Sequence, residues 1–172
     1  MHSTLPRPPA LDWSIDTCTI GRAMAILGER WTMVVLREVF NGIREGVLTD
    51  RSQFYRDLSE SFFGANREGS SVSQGAKDDF WRQGMLVNLA AAYDCVKAFS
   101  ETDFTEDLKA LDVPILIAQG DDDQIVPIAA AALRSIDLVK DGRLVVYPGA
   151  PHGIYGAYQK ALDAAILEFI DE

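Results

Sequence analysis

Apolar residues recur at spacings of three and four between residues 17 and 40. Ile20, Met24 and Leu27 precede Gly28, and Val34, Val35, Leu36 and Val39 follow it, so the pattern predicts a short pair of helices broken at that glycine. Asn41 and Gly42 read as the end of the second helix, and the polar Arg44, Glu45 and Gly46 as a join. From about 50 to 60, 76 to 84 and 86 to 99 the spacing again predicts amphipathic helices, with the cluster GANREGSSVSQG as a loop and no strand signal. The pattern then changes. VPILIAQG at 113–120 is a continuous apolar run of the kind that forms a parallel strand covered on both faces. A helix over 127–139, a strand RLVVYP at 143–148, a turn from Gly149 to Gly153 and a last helix ending at Ile170 complete a β-α-β-α order, which implies an α/β unit with a parallel sheet. Three segments follow: a helical pair at 1–45, a helical region at 46–112 and an α/β segment at 113–172. The chain contains no internal repeat and no low-complexity tract.

Charge changes this picture more than composition does. The 172 residues are 48% hydrophobic and 24% charged, as in a soluble globular protein, but the net charge is −10. It is concentrated after residue 44: five basic and four acidic residues lie before that point, eleven and twenty-two after it. Nucleic-acid affinity depends on Lys and Arg displacing counterions from phosphates, so only the first segment is a candidate for DNA. Cys18 and Cys95 are too few and too far apart for a disulfide framework, which suggests a cytoplasmic protein. The opening MHSTLPRPPALDW is interrupted by Pro6, Pro8 and Pro9 and does not read as a signal peptide, and no run reaches membrane-spanning length.

Two resemblances are carried by longer words. WSIDTCTIGRAMAILGERWTMVVLREVFNGIR at 13–44 resembles the first two helices of HxlR-type winged-helix regulators. In that family a recognition helix and a β-hairpin wing would follow. GVLTDR at 46–51 looks like a piece of the recognition region, but the continuation departs from it. The resemblance makes Cys18 a candidate sensor of oxidants, the alternative being a small half-buried residue at a helix start. Trp31, spaced with Leu27 and Val34, reads as core packing rather than as a DNA contact with Arg30. The second resemblance starts near Leu48. DRSQFYRDLSESFFGAN at 50–66, AYDCVKAFSETDFTEDL at 92–108, GDDDQIVP at 120–127 and YPGAPHG at 147–153 resemble the cap and C-terminal part of an α/β-hydrolase of the non-haem haloperoxidase/esterase type. It implies a partial α/β-hydrolase, with a helical cap, a C-terminal β-α-β-α unit and, in front, an incomplete winged helix. It also implies Ser-His-Asp chemistry with no metal and no other cofactor. An acyl-enzyme formed from a small-molecule ester or carboxylic acid would be attacked by water or by hydrogen peroxide, the latter giving a peracid able to oxidise halide.

In such a triad the histidine takes the proton of the nucleophile while a buried carboxylate holds the other ring nitrogen. Asp123 follows the strand at 113–120 and His152 follows the next, so a βα loop from each neighbouring strand would bring them together. By resemblance Asp123 is the acid and His152 the general base. Asp121 and Asp122 read as loop residues that are solvated or satisfy turn amides. Alternative readings are a turn histidine between Pro151 and Gly153, and a charged loop or calcium site for the Asp run. A calcium loop starting at Asp121 would need Gly and Glu where Val126 and Ala132 stand. The nucleophile elbow G-x-S-x-G is missing from the sequence. Its nearest approach, Ser71-Val72-Ser73-Gln74-Gly75, has Ser in place of the first Gly and lies between loop and helix, which argues against Ser73. Phe62, Phe63, Trp81 and Met85 either line a substrate cavity or hold the cap helices together.

The leading expectation is therefore a hydrolase-type chain with an acid and a histidine but no nucleophile, inactive alone. Two others stand beside it: a DNA-binding regulator with a foreign C-terminal extension, and a gene fusion without an evolved function. Without neighbours the apolar strand 113–120 would be an exposed edge, which predicts homo-oligomerisation.

Overall fold

The structure is a computed structural model, and it describes residues 39–172 apart from Tyr155. The readings of Cys18, Trp31 and most of the regulator-like segment lie outside the described residues. Residues 39–49 are helical (α1), followed by α2 (Arg51–Phe62), α3 (Gln74–Leu86), α4 (Leu89–Glu101) and α5 (Thr105–Ala110). An α/β unit follows, with β1 (Ile115–Gly120), α6 (Ala132–Leu138), β2 (Gly142–Tyr147) and α7 (Gln159–Ile170).

The helix expected to end at Asn41 and Gly42 runs through both, and through the residues read as a join. Glycine in a helix costs only about 1 kcal/mol relative to alanine, and α1 is held by its buried faces. Phe40 and Val47 are buried, and the Phe40 ring meets Phe99 of α4 edge-on at 5.2 Å. Arg44 adds an ion pair to Glu101 at 2.7 Å and lies over the Tyr93 ring.

Helices α2 and α3 form an antiparallel hairpin whose direction follows from its end contacts. Arg51, at the start of α2, donates to the carbonyls of Met85 and Val87 at the end of α3, which lack helical partners there. At the other end Lys77 pairs with Glu60 at 2.7 Å. Gly84 permits the close approach, since a Cβ on it would lie 2.6 Å from the Tyr55 ring. Asp50, Ser73 and Asn88 cap α2, α3 and α4 by accepting from amides of the first turn. The polar cluster 64–73 forms the expected loop, with Gly64 and Gly69 at positive φ.

β1 and β2 pair in parallel from Ile115↔Gly142 to Gly120↔Tyr147, with α6 on the crossover between them. The helix expected from Pro127 is divided. A 3-10 turn covers Ile128–Ala130, Ala131 leaves helical geometry, and α6 begins at Ala132, whose amide donates to the Gln119 side chain. Ile128, Ala132, Tyr147 and Ala150 form the buried apolar centre of this unit. Among the described residues the sheet has these two strands, and apolar side chains near its end, such as Val113, are half exposed. No helix among the described residues is long and apolar enough to cross a membrane.

Candidate functional site

The two loops that leave the carboxyl ends of β1 and β2 lie against each other. Gly120 makes this possible: a Cβ there would stand 2.0 Å from the Ala150 carbonyl oxygen, so the turn after β2 rests directly on the end of β1. The amides of Asp121 and Asp122 donate to the carbonyls of Tyr147 and Ala150, and the amide of Gly149 donates to the Asp121 carboxylate. Gly149 has φ +72°, a left-handed conformation that favours glycine.

Asp123 and His152 meet at this junction, 2.8 Å apart between Oδ2 and Nδ1. The Asp123 side chain is 2% exposed and that of His152 is 33% exposed, so the carboxylate is internal and the ring reaches the surface. Asp123 Oδ1 accepts from the Ile125 and Val126 amides at 2.9 and 2.8 Å, and Oδ2 accepts from Gln119 Nε2 at 3.0 Å. Burial pushes the carboxyl upward. The His152 hydrogen bond, the Val126 amide, the His152 charge and the Ile125 amide outweigh it and hold Asp123 below the ordinary aspartate value. An ionised carboxylate accepts on about four lone-pair directions, and here four donors occupy them. Nδ1 is then the protonated nitrogen of neutral His152, which leaves the lone pair on Nε2, the nitrogen a general base uses. Among the described residues Nε2 has no hydrogen bond to protein.

The C-terminal end of α2 and the loop after it brace the two loops. The Gly153 amide donates to the Phe62 carbonyl at 2.8 Å, and the Phe62 ring packs edge-on to the His152 ring at 5.0 Å. A Cβ on Gly153 would collide with Phe62 at 2.4 Å, so glycine after the histidine serves close packing. Arg67 forks onto Asp122 with bonds of 2.7 and 2.6 Å, and Asn66 and Gln124 exchange side-chain hydrogen bonds. Asp121 thus satisfies a turn amide, as the sequence suggests, and Asp122 serves as an ion-pair anchor. Among the described residues no group of three His, Cys, Asp or Glu side chains is placed to hold a metal.

Ser73 caps α3, its Oγ accepting from the Ala76 amide at 3.2 Å, and makes no hydrogen bond to His152. The three aromatic candidates divide. Phe62 and Phe63 pack on Phe80, with Phe62 also against the histidine. Trp81 lies under the Arg56 guanidinium and donates to Ser52, between α2 and α3. A cleft of about 230 Å³ beside the site is lined by Phe63, Arg67, Ser70, Asp122, Pro151 and Tyr158, among others, and by neither Asp123 nor His152. Sequence pattern alone does not single out Gln119, Asn66 or Arg67. Gln119 carries one available signal, a polar side chain at the end of an otherwise apolar strand.

Known proteins share this arrangement of elements. The family model for TAP-like proteins, an α/β-hydrolase family, matches residues 85–172. A non-heme haloperoxidase from Rhodococcus erythropolis is 54% identical over 135 residues, which are 78% of this chain and 49% of that protein. A bifunctional esterase/perhydrolase from Acinetobacter calcoaceticus is 44% identical over 78% of this chain and 49% of its own length. The crystal structure of a bromoperoxidase from Bacillus anthracis superposes with a TM-score of 0.73 at 28% identity, over 77% of this chain and 48% of that one. The chain spans about half the length of the curated relatives it matches.

Proposed function

Because the chain belongs to the TAP-like family of α/β-hydrolases, and most of it is a C-terminal part of an α/β-hydrolase of the non-haem haloperoxidase/esterase type, we propose that it carries the acid–base arm of a serine-hydrolase site without the nucleophile. Asp123 is the acid and His152 the general base. The observation that supports this most is the Asp123–His152 hydrogen bond, with the carboxylate buried and every lone-pair direction occupied. The base of such a site draws a proton from a serine hydroxyl through Nε2 as the hydroxyl attacks an acyl carbonyl, and returns it to the leaving group. The acyl-enzyme is then resolved by water, giving an acid, or by hydrogen peroxide, giving a peracid.

Small-molecule esters or carboxylic acids with peroxide are the proposed substrates, and they need a serine elbow and oxyanion donors from outside these 172 residues. An oxyanion donor alone is worth on the order of 10²–10³ in turnover, so these 172 residues by themselves are expected to be inactive. The half-exposed Val113 just before β1, on a strand with one partner among the described residues, supports self-association through that edge. The free, exposed thiol of Cys95 accords with a reducing cytoplasm.

Turnover of a chromogenic acetate ester tests the reading. The wild-type chain and His152→Ala are expected to share one background rate. A wild-type excess that disappears in His152→Ala would mean that a nucleophile is assembled and that the reading of an absent one is wrong.

A further inference from the structure

Gln119 is the only polar side chain of β1, and both ends of its amide are in use. Its orientation follows from its partners. The Ala132 amide can only donate, so the atom 3.1 Å from it is Oε1; the Val126 carbonyl can only accept, so the atom 2.7 Å from it is Nε2. The second Nε2 hydrogen is then directed at Asp123 Oδ2, 3.0 Å away, the same oxygen that faces His152 Nδ1. Through Val126 and Ala132 the same amide ties down both ends of the stretch that follows the acid, and the Val126 amide in turn holds Asp123 Oδ1.

Resting on the proposed acid–base pair, we propose that Gln119 is a positioning residue that sets the tautomer of His152, by fixing the Asp123 carboxylate so that Oδ2 demands a proton from Nδ1. An ionised carboxylate oxygen only accepts, and the Gln119 amide holds Oδ2 in line with the imidazole so that Nδ1 is the nitrogen that meets it. Nδ1 must then donate, and the free lone pair is confined to Nε2. Without Gln119 the carboxylate keeps the two Oδ1 amides but loses the donor that aligns Oδ2, and the stretch from 126 to 132 loses its tie to β1. His152 is then free to populate the opposite tautomer, with the proton on Nε2, in which the ring cannot act as a base at that nitrogen.

The test is long-range ¹H–¹⁵N correlation of the imidazole nitrogens in the full chain at about pH 9, well above the ordinary imidazole range. His2 is the only other histidine in the sequence, so the His152 signals are assigned by their loss in His152→Ala. In the wild type the Nδ1–H form is expected as the single detectable species. In Gln119→Met the ratio of Nδ1–H to Nε2–H should fall by about tenfold or more, as loss of one hydrogen bond to a charged group implies. Gln119→Leu also loses both donations and adds no charge beside Asp123, so it carries the test if the Met variant does not fold, and it should show the same change. A variant that melts at lower temperature but keeps Nδ1–H undiminished would make Gln119 a structural staple and overturn the inference, leaving the Asp123–His152 pair intact. A wild-type chain that itself shows mainly Nε2–H would overturn the pair and the inference together.

Discussion

Asp123 gathers two backbone amides, one side-chain amide and one imidazole on two oxygens, and this saturation decides how the site behaves with pH. Its carboxyl is held below the ordinary aspartate value by its donors despite burial. A group depressed in the folded state stabilises the fold above its unfolded value, and that contribution disappears as pH falls through the folded value. Wild-type stability, followed by urea unfolding, is therefore expected to drop more steeply below about pH 4 than that of Asp123→Asn, which has no carboxylate to protonate. Near neutral pH, Asp123→Ala should cost about 2–3 kcal/mol by orphaning buried donors. Equal pH profiles for wild type and Asp123→Asn would contradict this role. That Asp123 and His152 lie near each other is legible in the sequence because each follows one of two neighbouring strands, while their proposed roles come from the resemblance of the words around them. Gln119 is not legible, because its importance comes from partners at residues 126 and 132 that only the loop's path brings within reach. Asn66 and Arg67 are hidden for a similar reason, reaching acid-loop residues more than fifty positions away.

At the scale of elements, two glycines separate close packing from simple tolerance. A methyl group on Gly120 would meet a backbone oxygen that cannot move without shifting the turn before His152. Gly120→Ala is expected to cost about 3 kcal/mol. A methyl group on Gly42 would meet nothing within 4 Å, and the residue sits in a continuous helix, so Gly42→Ala should stabilise by about 0.5–1 kcal/mol. Urea midpoints of the two variants check both, and a destabilising Gly42→Ala would contradict a helix running through that position. The strands are legible from their apolar runs and the hairpin helices from their periodicity. The end of α1 is misread from sequence because Asn-Gly is a common stop signal, and here packing of Phe40 and Val47 overrides it. α5, with six residues, is too short to show a period.

Across the whole molecule, the α/β unit has a thin buried centre and much exposed apolar surface, with Val113 52% exposed and Ile170 70% exposed. A two-stranded sheet is marginal by itself, and an apolar edge invites pairing. Light scattering at high protein concentration is expected to show species larger than a monomer, whereas a sharp monomeric peak would count against the edge as an association site. The class of this unit is legible from the β-α-β-α order, but the cover over its faces is not, since that depends on residues distant in sequence or on other chains. Mass spectrometry after incubation with a fluorophosphonate probe shows whether the Asp123–His152 pair works with a serine of this chain. An unmodified chain is expected; a single adduct on one serine, lost in His152→Ala, would mean that a nucleophile is present.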